Sequence, residues 1–193
     1  MGQGLAAKLR EVGHDVVVGT RTPRDGAVSY AEAAAAGELA VLATNGAGAL
    51  EALSAAGAEN LAGKVLIDVS NALDFSQGRP PRVGVGNDDS VAEQIQRAHP
   101  DARVVKALNT VNNEVMVDPS LVPGNHVLFV CGDDEAAKAQ VVELLGSFGW
   151  PPERVIDLGG IAAARASELY VALWVQLMGV LGTPHFNISV ERA

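Results

Sequence analysis

Short continuous apolar runs alternate with stretches of helical spacing along most of the chain. Leu39–Thr44, Lys64–Ser70, Ala102–Leu108, His126–Cys131 and Arg154–Leu158 are rich in β-branched residues. They are too short for buried helices, and strands covered on both faces read this way. Between them lie helical segments. Ser29-Tyr30-Ala31-Glu32 is a capping box opening a short helix to Gly37, and Ala27-Val28 before it predicts a very short edge strand. Ala47–Ala56 and Ser90–Ala98 are helices, the second stopped by His99-Pro100. Glu114–Asp118 predicts one helical turn. Asp133 or Asp134 caps a helix to about Phe148, and Gly159-Gly160 precede a long helix over Ile161–Leu181. His185–Val190 predicts a closing strand. Gln77–Asn87 carries too many Gly and Pro for a regular element. The alternation predicts an α/β fold with a mainly parallel sheet covered on both faces.

The first residues add a chemical hint. Leu5, Leu9 and Val12 share one face of a helix ended by Gly13. Val16-Val17-Val18 then read as a short buried strand, and Thr20-Arg21-Thr22-Pro23-Arg24 follow it. In a doubly wound dinucleotide-binding fold, the end of the second strand reads the adenosine ribose. An acidic residue there selects NAD, whereas arginine accommodates the phosphate of NADP. No acid stands at this tip. Thr20, Arg21 and Arg24 are therefore candidate ligands of that phosphate, with forked guanidinium donors suited to it. A solvated basic turn is the alternative. Gly2 is placed as the last glycine of a G-x-G-x-x-G turn, with Arg21 19 positions on.

Composition narrows the rest. The 193 residues carry a net charge of −9, which argues against nucleic acid or an anionic membrane as the main partner. Apolar residues make up 48% of the chain, enough for a large core. The lone Cys131 rules out an intramolecular disulfide and fits a reducing, cytoplasmic setting. The longest apolar run, Leu169–Leu181, is interrupted by Gln176 and falls short of the ~18 residues of a membrane span. His14, His99, His126 and His185 show no metal spacing.

Several motifs together resemble a known family. Gly2-Gln3-Gly4-Leu5-Ala6, Val18-Gly19-Thr20-Arg21, Ile67-Asp68-Val69-Ser70-Asn71, Val104-Val105-Lys106-Ala107-Leu108-Asn109-Thr110 and Val130-Cys131-Gly132-Asp133-Asp134 look like NADPH-dependent reductases of the deazaflavin coenzyme F420, as does the closing Phe186–Val190. The resemblance covers nearly the whole chain in order. It implies a Rossmann-like NADP-binding domain over residues 1–158 and a short helix-and-strand extension over 159–193. It also implies hydride transfer between NADP(H) and coenzyme F420 or a flavin-like acceptor, and a homodimer. A non-catalytic NADP-binding sensor, or a remnant of such a reductase, is the competing reading.

The remaining candidates lie at strand ends, where ligands of open α/β sheets bind. Ala43, Thr44 and Asn45 are placed against the cofactor, with Asn45-Gly46 otherwise a cap and turn. Ser70, Asn71, Asn109 and Thr110 are placed against the nicotinamide or the acceptor ring, and would otherwise cap the loops they open. Lys106, inside an apolar strand, is expected to pair with an acid such as Asp68. No general acid or base is assigned. Leu169, Leu173, Leu177 and Leu181 recur every four residues, so the long helix is expected to be buried, its outer side against a second subunit. The expected strand order, 3-2-1-4-5-6, puts a central strand and two glycines ahead of Met1. With ten Arg to four Lys and abundant Ala, a GC-rich coding sequence with a GTG start is expected. The natural start then lies roughly 10–15 residues upstream, and the chain as printed should bind NADP weakly.

Overall fold

The computed structural model describes residues 1–24, 26–78, 81–85 and 88–192. In chain order the elements are α1 (Gly2–Glu11), β1 (Val18–Thr20), β2 (Ala27–Ser29), α2 (Tyr30–Ala36), β3 (Leu39–Leu42), α3 (Ala49–Ala56), α4 (Ala58–Leu61), β4 (Val65–Asp68), β5 (Leu73–Asp74), β6 (Arg82–Val83), α5 (Val91–Ala98), β7 (Arg103–Ala107), α6 (Asn113–Val117), β8 (Leu128–Cys131), α7 (Glu135–Ser147), β9 (Val155–Asp157) and α8 (Ala164–Leu181). The main sheet runs β3-β4-β7-β8-β9. Its pairs are parallel except β7–β8, which are antiparallel.

Alternation along β4 shows why the sheet needs cover on both sides. Val65, Ile67 and Val69 enter one apolar cluster with Leu5 of α1 and Val141 and Leu145 of α7. Leu66 enters the other, with Ala49, Ala52 and Leu53 of α3 and Ile95 of α5. Successive strand residues point to opposite faces, so one buried strand serves two layers. The capping box forms as the sequence predicts: Ser29 Oγ accepts from Glu32 N, and Glu32 returns a carboxylate to Ser29 N at 2.9 Å. Asp134, not Asp133, caps α7. Asp133 instead accepts from Ile161 N at 2.8 Å.

Three expectations are corrected. First, β1 pairs in parallel with β2 in a two-stranded sheet of its own. Among the described residues no strand lies between β1 and β3. Lacking that neighbour, the Val16–Val18 run is not buried: Val16 and Val18 are half-buried and Val17 is 47% exposed. Second, Gln77–Asn87 is not wholly irregular, because Arg82–Val83 pair antiparallel with Leu73–Asp74; Arg79, Pro80, Gly86 and Asn87 lie outside the described residues. Third, His185–Val190 forms no strand. The segment runs extended beside the start of β8, held by Val127 N donating to Ile188 O at 3.0 Å and by Asn187 Nδ2 donating to Val127 O at 2.8 Å. Side-chain amides stand in where a ladder would need more backbone pairs. Burial along α8 is one-sided, with its outer side open in the single chain. Ala164, Ser167, Glu168 and Val171 are buried, but Leu169, Leu173, Val180 and Leu181 are exposed. Among the described residues no helix is long and apolar enough to cross a membrane.

Candidate functional site

The carboxyl ends of β1, β3, β4 and β7 carry the residues singled out from the sequence. Thr20 is the half-buried last residue of β1, followed by exposed Arg21 and Arg24. The Arg21 guanidinium reaches Glu51 of α3 at 3.4 Å, with both side chains about 70% exposed (70% and 71%). The Arg24 carbonyl accepts from Ala27 N at 3.0 Å, closing the turn into β2. Gly2 opens α1, and a Cβ built there would lie 3.5 Å from the Ala43 side chain. That contact brings the start of α1 to the end of β3, so two stretches far apart in sequence meet.

The loop after β3 packs against the loop after β4. Asn45 Oδ1 accepts from Ala47 N at 3.1 Å and so caps the turn before α3. Gly46 N donates to Asn71 O at 3.1 Å. A Cβ at Gly46 would meet the Asn71–Ala72 backbone at 2.8 Å, so no side chain fits there. Thr44 Oγ is buried and has no hydrogen-bond partner among the described residues.

Two asparagines lock the next two strand ends together. Asn71 Nδ2 donates to Asn109 O at 2.7 Å, and Asn109 Nδ2 donates to Asn71 Oδ1 at 3.1 Å and to Ser167 O of α8 at 3.0 Å. Leu108 makes this geometry possible. It is buried and adopts φ 63°, the one positive φ outside glycine among the described residues. A left-handed leucine at the end of a strand is costly, and such strain gathers at functional sites. Ser70 Oγ, Asn109 Oδ1 and Thr110 Oγ are buried without partners among the described residues, as Thr44 Oγ is. A buried polar atom left unpaired costs ~1–3 kcal/mol. Four at the ends of three neighbouring strands fit a polar ligand laid across the edge.

Beneath these ends lies a buried ionic cluster. Lys106 Nζ contacts Asp68 Oδ2 at 2.8 Å, Ser70 O at 2.6 Å and Glu168 Oε1 at 2.9 Å. Burial pulls its ammonium down, but the Asp68 and Glu168 carboxylates more than offset this and hold it above its ordinary value. The pairing with Asp68 is the one expected from the sequence. Glu168 is an addition. It also accepts from Val91 N at 2.9 Å and Ala92 N at 3.1 Å at the start of α5. Arg165 and Glu168 are the only charges in α8, and Glu168 stands on the face toward a strand with a lone lysine. Those two isolated charges in apolar elements are the sequence signal for the pair. Opposite Lys106 in the sheet sits Cys131, whose thiol is pushed up to about 12 chiefly by burial.

Among the described residues no group of three or more His, Cys, Asp or Glu side chains is placed to hold a metal. His126 is buried in a structural role, its Nε2 on Pro119 O at 3.1 Å and its ring edge against Trp150. His185 pairs with Glu114 at 2.5 Å.

No family model matches the chain. Among curated proteins, Metalloreductase STEAP3 of Rattus norvegicus is 30% identical over 175 residues, covering 86% of this chain and 33% of that protein. F420-dependent NADP reductase of Methanocaldococcus jannaschii is 32% identical over 120 residues, covering 62% of this chain and 52% of that protein. The matches thus span about a third and about half of these relatives. Among solved structures, a protein from Arthrobacter sp. FB24, provisionally described as an F420-dependent NADP reductase, is 46% identical with a TM-score of 0.95, covering 99% of this chain and 94% of that one. Reductive Aminase from Aspergillus terreus, solved with NADPH and ethyl levulinate, is 20% identical with a TM-score of 0.64, covering 94% of this chain and 59% of that one. That likeness concerns the fold alone. By its near-full-length similarity to the Arthrobacter protein and its partial similarity to the Methanocaldococcus reductase, the chain belongs to the family of F420-dependent NADP reductases.

Proposed function

We propose that this chain binds NADP(H) across the carboxyl edge of its sheet and passes a hydride between it and a planar deazaflavin or flavin-like acceptor. The observation that carries the reading is the row of buried, unpaired polar atoms: Thr44 Oγ, Ser70 Oγ, Asn109 Oδ1 and Thr110 Oγ. Thr20, Arg21 and Arg24 hold the ribose phosphate from the open side. Gly2, Ala43, Thr44 and Asn45 border the middle of the cofactor, where small side chains let it approach the backbone. Ser70, Asn71, Asn109 and Thr110 bind the nicotinamide carboxamide and the facing edge of the acceptor. The cofactor supplies the hydride chemistry; the protein orients two rings and keeps water out. Asn71 and Asn109 suit this role because their mutual hydrogen bonds fix them before any ligand arrives.

The same reading places a second copy of the chain on α8. Leu169, Leu173 and Leu181 expose apolar surface along one helix, and an isologous contact would cover both copies at once. Residues 159–193 then form the extension that joins the subunits. A cytoplasmic setting belongs with this reading.

The test is a spectroscopic screen at 340 nm with NADPH as donor and a 5-deazaflavin, FMN, FAD or a ferric chelate as acceptor. Turnover with the deazaflavin, or with a flavin, is the expected result. Turnover with the chelate alone would move the chain toward the chemistry named for its metalloreductase relatives. NADPH binding without turnover on any acceptor would leave a binding protein.

A further inference from the structure

The Lys106 cluster does not balance its own charge. Asp68 Oδ1 accepts from Ser70 N at 2.9 Å and Asp68 Oδ2 from Lys106. Glu168 Oε1 accepts from Ala92 N and faces Lys106, and Glu168 Oε2 accepts from Val91 N. Every carboxylate oxygen thus accepts from at least one donor. Two anions therefore share one cation, all three at most 3% exposed along their side chains. The start of α5 offsets part of the excess through its dipole. The nearby cations do not: Arg165 is committed to Glu93, and Lys138 to Asp157 and Glu135. The Cys131 thiol opposite Lys106 is neutral at pH 7.

This excess lies two to four residues before the proposed nicotinamide ligands along β4 and β7. Lys106 Nζ is 2.6 Å from Ser70 O, and Glu168 follows Ser167, whose carbonyl holds Asn109. When a hydride leaves C4 of a dihydronicotinamide with both bonding electrons for the acceptor ring, the nicotinamide left behind carries a positive charge. A fixed negative charge in a dry interior stabilises that charge far more than the same group in water does. We infer that the Asp68–Lys106–Glu168 cluster favours the oxidised, cationic nicotinamide and so drives hydride transfer out of NADPH toward the acceptor. The inference rests on the placement of the nicotinamide given under the proposed function. It assigns the cluster a positioning and electrostatic role, without contact to the reacting atoms.

The test compares dissociation constants of NADP+ and NADPH by titration calorimetry on the full chain. In the wild type, NADP+ is expected to bind at least as tightly as NADPH. The ratio of the two constants should hold steady from roughly 0.05 to 0.5 M salt, because a buried charge is poorly screened. Asp68→Asn and Glu168→Gln each remove the excess charge and should shift the ratio toward NADPH by about tenfold. Glu168→Asp keeps the charge and should keep the ratio. A purely structural role would weaken both forms together and leave the ratio unmoved, and that result overturns the inference. So does a wild type that prefers NADPH, a measurement that needs no variant to fold. Failure of the wild type to bind either form would overturn the proposed function along with it. Binding of both forms with a ratio that neither Asp68→Asn nor Glu168→Gln moves would overturn only the electrostatic role.

Discussion

The two ends of the proposed cofactor track are built on opposite physical terms. At the ends of β4 and β7, Asn71, Asn109, Lys106, Asp68 and Glu168 are locked by hydrogen bonds in a dry setting. At the end of β1, Arg21 and Arg24 stand in water, and the pairing between Arg21 and Glu51 spans 3.4 Å. Preorganised groups pay their ordering cost during folding and lose nothing when the ligand arrives. Exposed arginines pay it on binding, but they search for a phosphate and remain screened by salt. Under the proposed function, the deep end sets geometry and the open end sets which dinucleotide is chosen.

The largest test of the contrast is removal of Lys106. Lys106→Met leaves Asp68 and Glu168 buried without their shared cation. Breaking a buried pair by deleting one partner costs about 3–5 kcal/mol, so the urea midpoint should fall steeply. A change below ~1 kcal/mol would mean that water reaches the cluster and that the deep end is not dry.

At the open end the expected effect is smaller and of another kind. Arg21→Ala should weaken NADP by about tenfold and leave NAD nearly unchanged, with stability within ~0.5 kcal/mol of wild type. Parallel titrations with the two dinucleotides give the answer. Equal losses for both would mean that Arg21 does not read the extra phosphate.

The sequence foreshadowed these two ends unequally. The doubly wound layering was legible because β4 and β7 are continuous apolar runs, and only cover on both faces explains such runs. Lys106 stood out as a charge among the apolar residues of one of them, and an acidic partner followed from the cost of burying it alone. Glu168 was harder to see, since a lone acid in a helix reads equally well as a solvated position. Leu108 was invisible: nothing in Ala107-Leu108-Asn109 marks a left-handed leucine, because the Asn109 bonds that go with that backbone reach Asn71 and Ser167, both distant in sequence. The valine run at Val16–Val18 misled for a related reason. Apolar character reports what a segment can bury, and burial also requires a neighbour on each side.

Acid should loosen the deep end from its rim. The Arg97 guanidinium hydrogen-bonds Asp89 and holds its carboxyl down at about 2, and Arg165 does the same for Glu93, in direction, against the cost of burial. Both groups are more acidic folded than unfolded. Their stabilisation is therefore complete above the ordinary carboxylate range near pH 4 and is lost as pH falls toward about 2. Urea midpoints measured through that window should decline, and Arg165→Ala should flatten the decline. An unchanged slope would show that the joint between α5 and α8 contributes little.

The smallest effect distinguishes a free arginine from a held one. Glu51 sits 3.4 Å from Arg21, and both side chains are about 70% exposed (71% and 70%). A pair so exposed contributes little to folding, so breaking it costs the protein almost nothing. Under the proposed function its carboxylate stands beside the arginine that meets the ribose phosphate, and like charges repel. Glu51→Gln keeps the shape and removes the charge. NADP should then bind about two- to threefold more tightly, most visibly below ~0.1 M salt, where screening is weak. NAD, which lacks the phosphate, should bind as before. A loss of NADP affinity would mean that Glu51 aims Arg21 at the phosphate, and the open end would then be as preorganised as the deep one.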